Sequence, residues 1–295
     1  MSALASMTGF AAASGEASWG RWRVEAKSVN GRGLDVRVAL PPGLDALERA
    51  AKAAAAARFS RGSLQVSVRV ETDGSAGARV DTAALAQLLT AWRAASGEDV
   101  PSGEALATLM TIKGVVDSGG GDSRALAEDA DAMATLEGGI GEALDRLGEA
   151  RLEEGGRLAD VLGALLDAIA ETRSKALDVA SDQPARLRAK LERQLADLGA
   201  GDQVDPARLA AETALSAAKA DVREELDRLD GHVTAARALL AAGSPAGRKL
   251  DFLCQELYRE ANTLCSKSAS LPLTEAGLAL KSLIDQFKEQ AANVE

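Results

Sequence analysis

Apolar and polar positions are most sharply sorted near the end of the chain. In residues 247–268, GRKLDFLCQELYREANTLCSKS, the residues Leu250, Leu253, Cys254, Leu257, Ala261 and Leu264 return at three- and four-residue steps. That spacing puts them on one side of a 3.6-residue helix, the side expected to be buried. Asp251, Gln255, Arg259 and Asn262 form a row on the other side, and Glu256, Glu260, Thr263 and Lys267 form a second row on its flank. A face that only meets water needs nothing so specific, since Lys, Glu and Ala would do. A solvated or subunit-facing stripe with intrahelical ion pairs nevertheless explains the pattern as well as a binding face does.

The same period runs through residues 205–242, where no strong breaker follows Pro206. The pattern predicts one helical rod about 50 Å long, which must pack in helical hairpins or an oligomer. Val222, Leu226, Leu229, Val233, Ala236 and Leu240 follow the spacing of a buried seam. Beside it Asp221, Glu225, Arg228 and His232 stack at steps of four, three and four, with Glu224 on a neighbouring row. Such a row reads either as a ladder of surface ion pairs or as a metal or proton-transfer site to which Glu225 and His232 contribute. Upstream, residues 133–147 continue towards RLEEGGRLADVLGALLDAIA with Gly155-Gly156 as the expected interruption, and a further helix runs from Pro184 to Leu198 before a turn at 199–203.

The first seventy residues alternate with period two instead. Residues 19–29, 34–40 and 62–71 read as three half-buried strands, and residues 44–59 as an alanine-rich helix. Asn30, Gly31 and Gly33 supply turn chemistry between the first two. Three such strands need a helix layer over their apolar side. After a loop at 72–78, Asp81 is an expected N-cap for a helix through Trp92, and another helix is expected at 103–111. The glycine-rich segment 114–123 reads as a flexible joint; it lacks the GK[ST] ending of a phosphate loop. The fold class is α+β. Residues 1–123 are expected to form a β-rich domain with covering helices, and residues 124–295 a domain of long helices.

Composition narrows the chemistry. The formal net charge of −10 repels nucleic acid on average, so a nucleic-acid function needs a locally basic groove or an intervening divalent metal. The two cysteines, Cys254 and Cys265, lie about 16 Å apart along one helix, too far to bridge, and suit a reducing compartment. No apolar run approaches the roughly 18 residues of a membrane span. The beginning of the chain shows no basic region followed by a hydrophobic one, so a cytoplasmic protein is expected. A single histidine excludes a two-histidine ribonuclease mechanism within one subunit. A Cys/His zinc cluster, a GxSxG elbow and a dinucleotide fingerprint are absent. Carboxylates holding a hard divalent cation, helped by one imidazole and acting on phosphate, remain compatible with these residues.

Several segments carry a resemblance. They are SMTGF (6–10), EAKSVNGRGLDVRV (25–38), the Arg61-Gly62 pair, RLEEG (151–155), EELDRLDGHV (224–233), and GRKLDFLCQELYREANTLCSKS followed by LKSLIDQFKEQAANVE. In order and spacing the chain resembles the YicC/YloC family of bacterial proteins from Ser6 to its last residue, more loosely over 72–128. The resemblance implies an endoribonuclease using a divalent metal, Mg or Mn, and assembled as a homo-hexameric ring around a channel for RNA. It also implies links to other RNA-decay proteins and to RNA turnover. On these positions it implies catalytic roles for His232, Glu225, Glu224, Glu256 and Glu260, with Glu224, Glu225, His232 and Glu256 as metal ligands. Arg228, Arg259, Lys267, Asn262 and Gln255 would bind RNA, and Asp251 would lie in the same channel. Lys27, Asn30 and Arg32 match the family's KSVN.R signature and would also touch RNA, although Asn30-Gly31 is equally good turn chemistry. The chain departs from the pattern at Cys254, Tyr258 and Gly231. A non-catalytic scaffold that delivers RNA to another nuclease is the alternative.

Overall fold

A computed structural model describes residues 3–72, 79–97, 99–112, 115–117, 123–197 and 205–295. The expected turn at 199–203, residues 73–78 of the expected loop, and residues 114 and 118–122 of the expected joint fall outside them. By packing the chain forms two compact units, Gly9–Ala150 and a second made of Met1–Thr8 with Arg151–Glu295. Among the described residues no helix is long and apolar enough to cross a membrane.

The first unit is built on a four-stranded sheet: β1 (Gly9–Ala17), β2 (Gly20–Val29), β3 (Leu34–Ala39) and β4 (Gly62–Thr72). Their order is β1-β2-β4-β3. The pairs β1/β2 and β2/β4 are antiparallel, whereas β3 runs parallel to β4. A parallel pair needs a crossover, and α1 (Ala46–Arg58) supplies it. The turn chemistry at 30–33 therefore does not close a hairpin, because β4 lies between β2 and β3. Gly62 begins β4 at φ +118, a backbone region open to glycine, and a Cβ there would stand 3.0 Å from the Oγ of buried Ser28. Strand β1 is not among the expected strands. Its sequence GFAAASGEA has no β-branched residue, so only pairing with β2 makes it a strand.

Alternation along the strands sends Ala11, Ala13, Val24, Ala26, Leu64, Val66 and Val68 to one face. They pack on Leu47, Ala51 and Ala55 of α1 and on Leu136, Ile140, Leu144 and Leu147 of the long helix α5 (Ala130–Ser181). Each of these leucines is fully buried, and cutting one to Ala is expected to cost about 2–5 kcal/mol. The expected boundary after residue 123 thus precedes helices that complete the sheet's core, and the packing boundary falls inside α5. Between β4 and α5 stand a two-stranded ladder, β5 (Arg79–Val80) with β6 (Val116–Asp117), and the helices α2 (Thr82–Ser96), α3 (Gly103–Met110) and α4 (Ser123–Leu126). Asp81 caps α2 as expected, its carboxylate accepting from the N–H groups of Ala83 and Ala84 at 2.9 Å.

The second unit is helical: the later part of α5, then α6 (Gln183–Asp197), α7 (Pro206–Lys219), α8 (Arg223–Ala242), α9 (Gly247–Lys267) and α10 (Leu271–Ala291). Its core joins Leu162, Leu166 and Ile169 of α5 to the apolar faces of α8, α9 and α10. Two expectations are corrected here. Gly155-Gly156 does not interrupt α5; a Cβ on Gly155 would stand 2.0 Å from the Leu4 carbonyl oxygen, so the glycine admits the chain's first residues against the helix. The 205–242 rod is two helices. Around the break the Ala220 N–H tightens onto the Ser216 and Ala217 carbonyls, Gln183 Nε2 donates to the Ala220 carbonyl at 3.2 Å, and the Asp221 carboxylate accepts from the Arg223 N–H at 3.0 Å. A short acidic side chain competes for backbone donors in this way and starts a new helix.

Residues 3–8 and 293–295 are laced together at the start of this unit. The Ser6 N–H donates to the Arg151 carbonyl at 2.9 Å, the Met7 N–H to Asn293 at 2.7 Å, and the Glu295 N–H to Ala5 at 3.0 Å. The buried Arg151 guanidinium donates from Nε to the Ser6 carbonyl at 2.6 Å and from Nη2 to Glu295 at 3.1 Å.

Candidate functional site

The helices α8 and α9 form an antiparallel pair whose apolar rows meet as the periodicity predicts. Val222, Leu226, Leu229, Val233 and Ala236 are buried from one side, and Leu250, Leu253, Cys254, Leu257, Ala261 and Leu264 from the other. Arg173 of α5 clamps α8 by donating to the Leu226 carbonyl at 2.9 Å and pairing with Asp227 at 3.1 Å. No periodic signal marks Arg173, since its role depends on which helix lies opposite.

Along one edge of the pair, acids and bases interlock. The Glu225 side chain of α8 is only 7 % exposed, and its Oε1 accepts from the Lys267 ammonium of α9 at 2.7 Å. Among the described residues its Oε2 is buried without a hydrogen-bond partner. Glu260 of α9 is equally buried, with Arg228 of α8 approaching it to 3.5 Å while holding Glu224 on its other arm. The hydrogen bond to Glu225 pushes the Lys267 ammonium above its usual value, helped by the nearby charges of Glu224 and Asp221. The charges of Glu224 and then Glu260 push the Arg228 guanidinium up. An unpartnered buried acceptor costs about 1–3 kcal/mol, so Glu225 Oε2 is an expensive position to keep.

The polar rows of the two helices meet only in part. Glu260 meets Arg228, but Glu256 pairs within its own helix with Arg259 at 3.3 Å, and Asp221 leaves the row to start α8. Glu260, expected on a polar flank, is instead nearly buried, because it lies on the border of the apolar row and faces α8. His232 is half-buried one turn beyond Arg228 and, among the described residues, makes no hydrogen bond or ion pair. Gln255 donates to Asp251 at 3.3 Å, and Asn262 and Arg259 are exposed. Lys27, Asn30 and Arg32 belong to the sheet unit. Lys27 projects from the open face of β2, and Asn30 and Arg32 are exposed just beyond its end.

Within one chain the donors fall short of a metal site. Among the described residues no three His, Cys, Asp or Glu side chains come together as ligands. Glu225 and Glu260 already face an ammonium and a guanidinium, and Glu224, His232 and Glu256 do not join them in one shell.

Two family profiles match the sequence, "Endoribonuclease YicC-like, N-terminal region" over residues 4–160 and "Endoribonuclease YicC-like, C-terminal" over residues 176–295. A Haemophilus influenzae protein named "Probable endoribonuclease YicC" is 35% identical over 296 aligned residues, 98% of this chain and 99% of its own. The chain belongs to the YicC-like family. A Clostridioides difficile protein of the same name is 32% identical over 173 residues, 57% of this chain and 58% of its own. The YicC-like C-terminal region contains all of α8 and α9, hence every charged pair of the edge described above. The N-terminal region contains Lys27, Asn30 and Arg32. Three positions read from the sequence as departures from the family pattern, Cys254, Tyr258 and Gly231, lie on α8 and α9. The Cys254 thiol is buried and pushed up to about 12 by that burial, Tyr258 carries the Lys281 ammonium 5.2 Å from its ring centre, and Gly231 leaves α8 unbroken.

Proposed function

We propose that this chain is an endoribonuclease that receives RNA along the charged edge of α8 and α9 and acts in the cytoplasm in RNA turnover. The observation that carries the reading is the pair of buried carboxylates, Glu225 and Glu260, held on facing helices under the more exposed cations Lys267 and Arg228. The names of its relatives support RNA as the substrate. Lys267 and Arg228 offer charge to neighbouring phosphates, with Arg259, Gln255 and Asn262 extending the contact along α9. His232 serves as the proton donor or acceptor at the reacting oxygen, since it is the chain's one imidazole and lies on the same edge. Glu225 Oε2 offers an acceptor for a proton or a water.

The divalent ion expected from the sequence, Mg or Mn, enters this reading only if its ligands come partly from a second copy of the chain or from RNA phosphates. Glu224, Glu256 and His232 are the residues this chain would contribute. A ring of six copies around an RNA channel would bring such edges together. The edge also supports a second reading, since its acids are already paired with cations as they would be in a non-catalytic RNA-binding scaffold.

A labelled RNA, highly purified protein, and buffers with Mg, Mn or EDTA separate these. Cleavage that needs the ion and is lost in His232→Ala, with the assembly size unchanged by light scattering, is the expected result. Absence of cleavage by the wild-type protein in either metal overturns the enzyme reading in favour of the scaffold. Cleavage by His232→Ala at the wild-type rate removes the histidine from the mechanism.

A further inference from the structure

The open face of the four-stranded sheet holds a row of side chains that the reading above does not use. The register Phe10↔Lys27, Lys27↔Gln65 and Gln65↔Arg37 carries one line across β1, β2, β4 and β3. Because their neighbours Ala11, Ala26 and Val66 point to the core, these four residues share the opposite face. Phe10 is 57% exposed there, in a chain whose aromatics are only 3% of residues. Among the described residues Lys27 makes no ion pair. In the row four residues further along, Arg23 and Arg69 stand opposite each other, and both reach the carboxylate of Glu25 in the row between, at 2.8 and 4.0 Å. Asp35 reaches Arg37 at 3.2 Å from beyond the row. Four cations, Lys27, Arg37, Arg23 and Arg69, thus face the acids Glu25 and Asp35, while Glu71, paired with Arg21, also lines the concave face. The face is concave, with a volume of about 740 Å³ between Phe10 at one edge and Leu40 and Pro41 at the other.

We propose that this face binds single-stranded RNA, with one base stacked on Phe10, phosphates on Lys27 and Arg69, and the Gln65 amide at a base edge. The inference rests on the reading that RNA is the substrate and specifies which form of RNA is gripped. An exposed aromatic flanked by basic side chains on a sheet suits an unpaired base, whose faces are free, and does not suit a duplex, whose base faces are already stacked. On the buried side the adjacent line is Ala11, Ala26 and Val66, and the aromatic of that face, Trp22, packs against the core.

The test is fluorescence anisotropy with a labelled oligouridylate and a labelled blunt RNA duplex, in EDTA. Phe10→Ala is expected to weaken oligouridylate binding by about 5- to 150-fold, and Phe10→Trp to keep it. Lys27→Ala should lower the salt dependence by about one phosphate contact, a slope change of about 0.7. Duplex affinity should not fall in Phe10→Ala. If the wild type binds oligouridylate and Phe10→Ala, with native circular dichroism, binds it equally well, the inference is overturned while RNA as substrate stands. A change of assembly size in Phe10→Ala with unaltered RNA affinity would make the face a protein contact and likewise overturn it. A wild type that neither binds nor cleaves RNA takes the proposed function down as well.

Discussion

Two charged clusters of the helical unit are built in opposite ways. Around Arg151 the cation is the buried partner: its side chain is 1% exposed against 12% for Glu295, and it also holds the Ser6 carbonyl. Along α8 and α9 the acids are buried, Glu225 at 7% and Glu260 at 5%, and the cations Lys267 and Arg228 stand out at 34% and 56%. A buried guanidinium that ties the first residues to the last has no room to exchange partners. An exposed cation over a buried acid can swing towards an incoming phosphate and return. The first arrangement closes a fold, and the second is the one that the proposed function uses to receive a polyanion.

The largest effect that would sharpen this contrast is expected from Arg151→Ala. It leaves Glu295 and the Ser6 carbonyl without their buried donor, and chemical denaturation should show a loss of about 3–5 kcal/mol. A loss below about 1 kcal/mol would break the comparison by making Arg151 dispensable. Gly155→Ala probes the same closure without touching a charge. Its methyl group collides with the Leu4 carbonyl, so a loss of about 1–3 kcal/mol and earlier proteolysis of the first residues are expected. Glu225→Gln should behave differently: RNA cleavage falls at least tenfold while stability changes by about 1 kcal/mol or less. If stability collapses instead, the α8–α9 edge is as structural as the Arg151 cluster.

The smallest effect is on pH dependence. Folding raises Lys267 above its ordinary value of 10.5. A cation raised in the folded state contributes stability that is complete below the unfolded value and is lost as pH rises through the folded one. Thermal melts of the wild type should therefore lose this contribution only above about pH 10.5, and Lys267→Met should flatten that alkaline decline. An unchanged decline in the variant would show that the Lys267–Glu225 pair adds nothing to folding.

The periodic stripes are legible in the sequence. Val222 to Ala236 and Leu250 to Leu264 are buried as their three- and four-residue steps predict, and the alternation of β2 and β4 identifies the sheet's core face. Local chemistry is legible too, as at the Asp81 cap. The polar row is less so. Helical spacing puts Glu225 beside Arg228, but Lys267 as the partner of Glu225 and the burial of Glu260 depend on how α9 lies against α8. Likewise Asp221 reads as a member of the row and serves instead to start the helix.

What the sequence determined by itself was period, caps and the alternation of faces, because these follow from backbone geometry within a few residues. Tertiary structure alone decided three further things. Alanine-rich β1 becomes a strand because β2 offers it a ladder. Gly155 stands inside an unbroken helix where the Leu4 backbone needs the space of a missing Cβ. The buried carboxylates of α8 and α9 meet cations from the facing helix because burial and pairing depend on groups far apart in the chain, and no local window contains both partners.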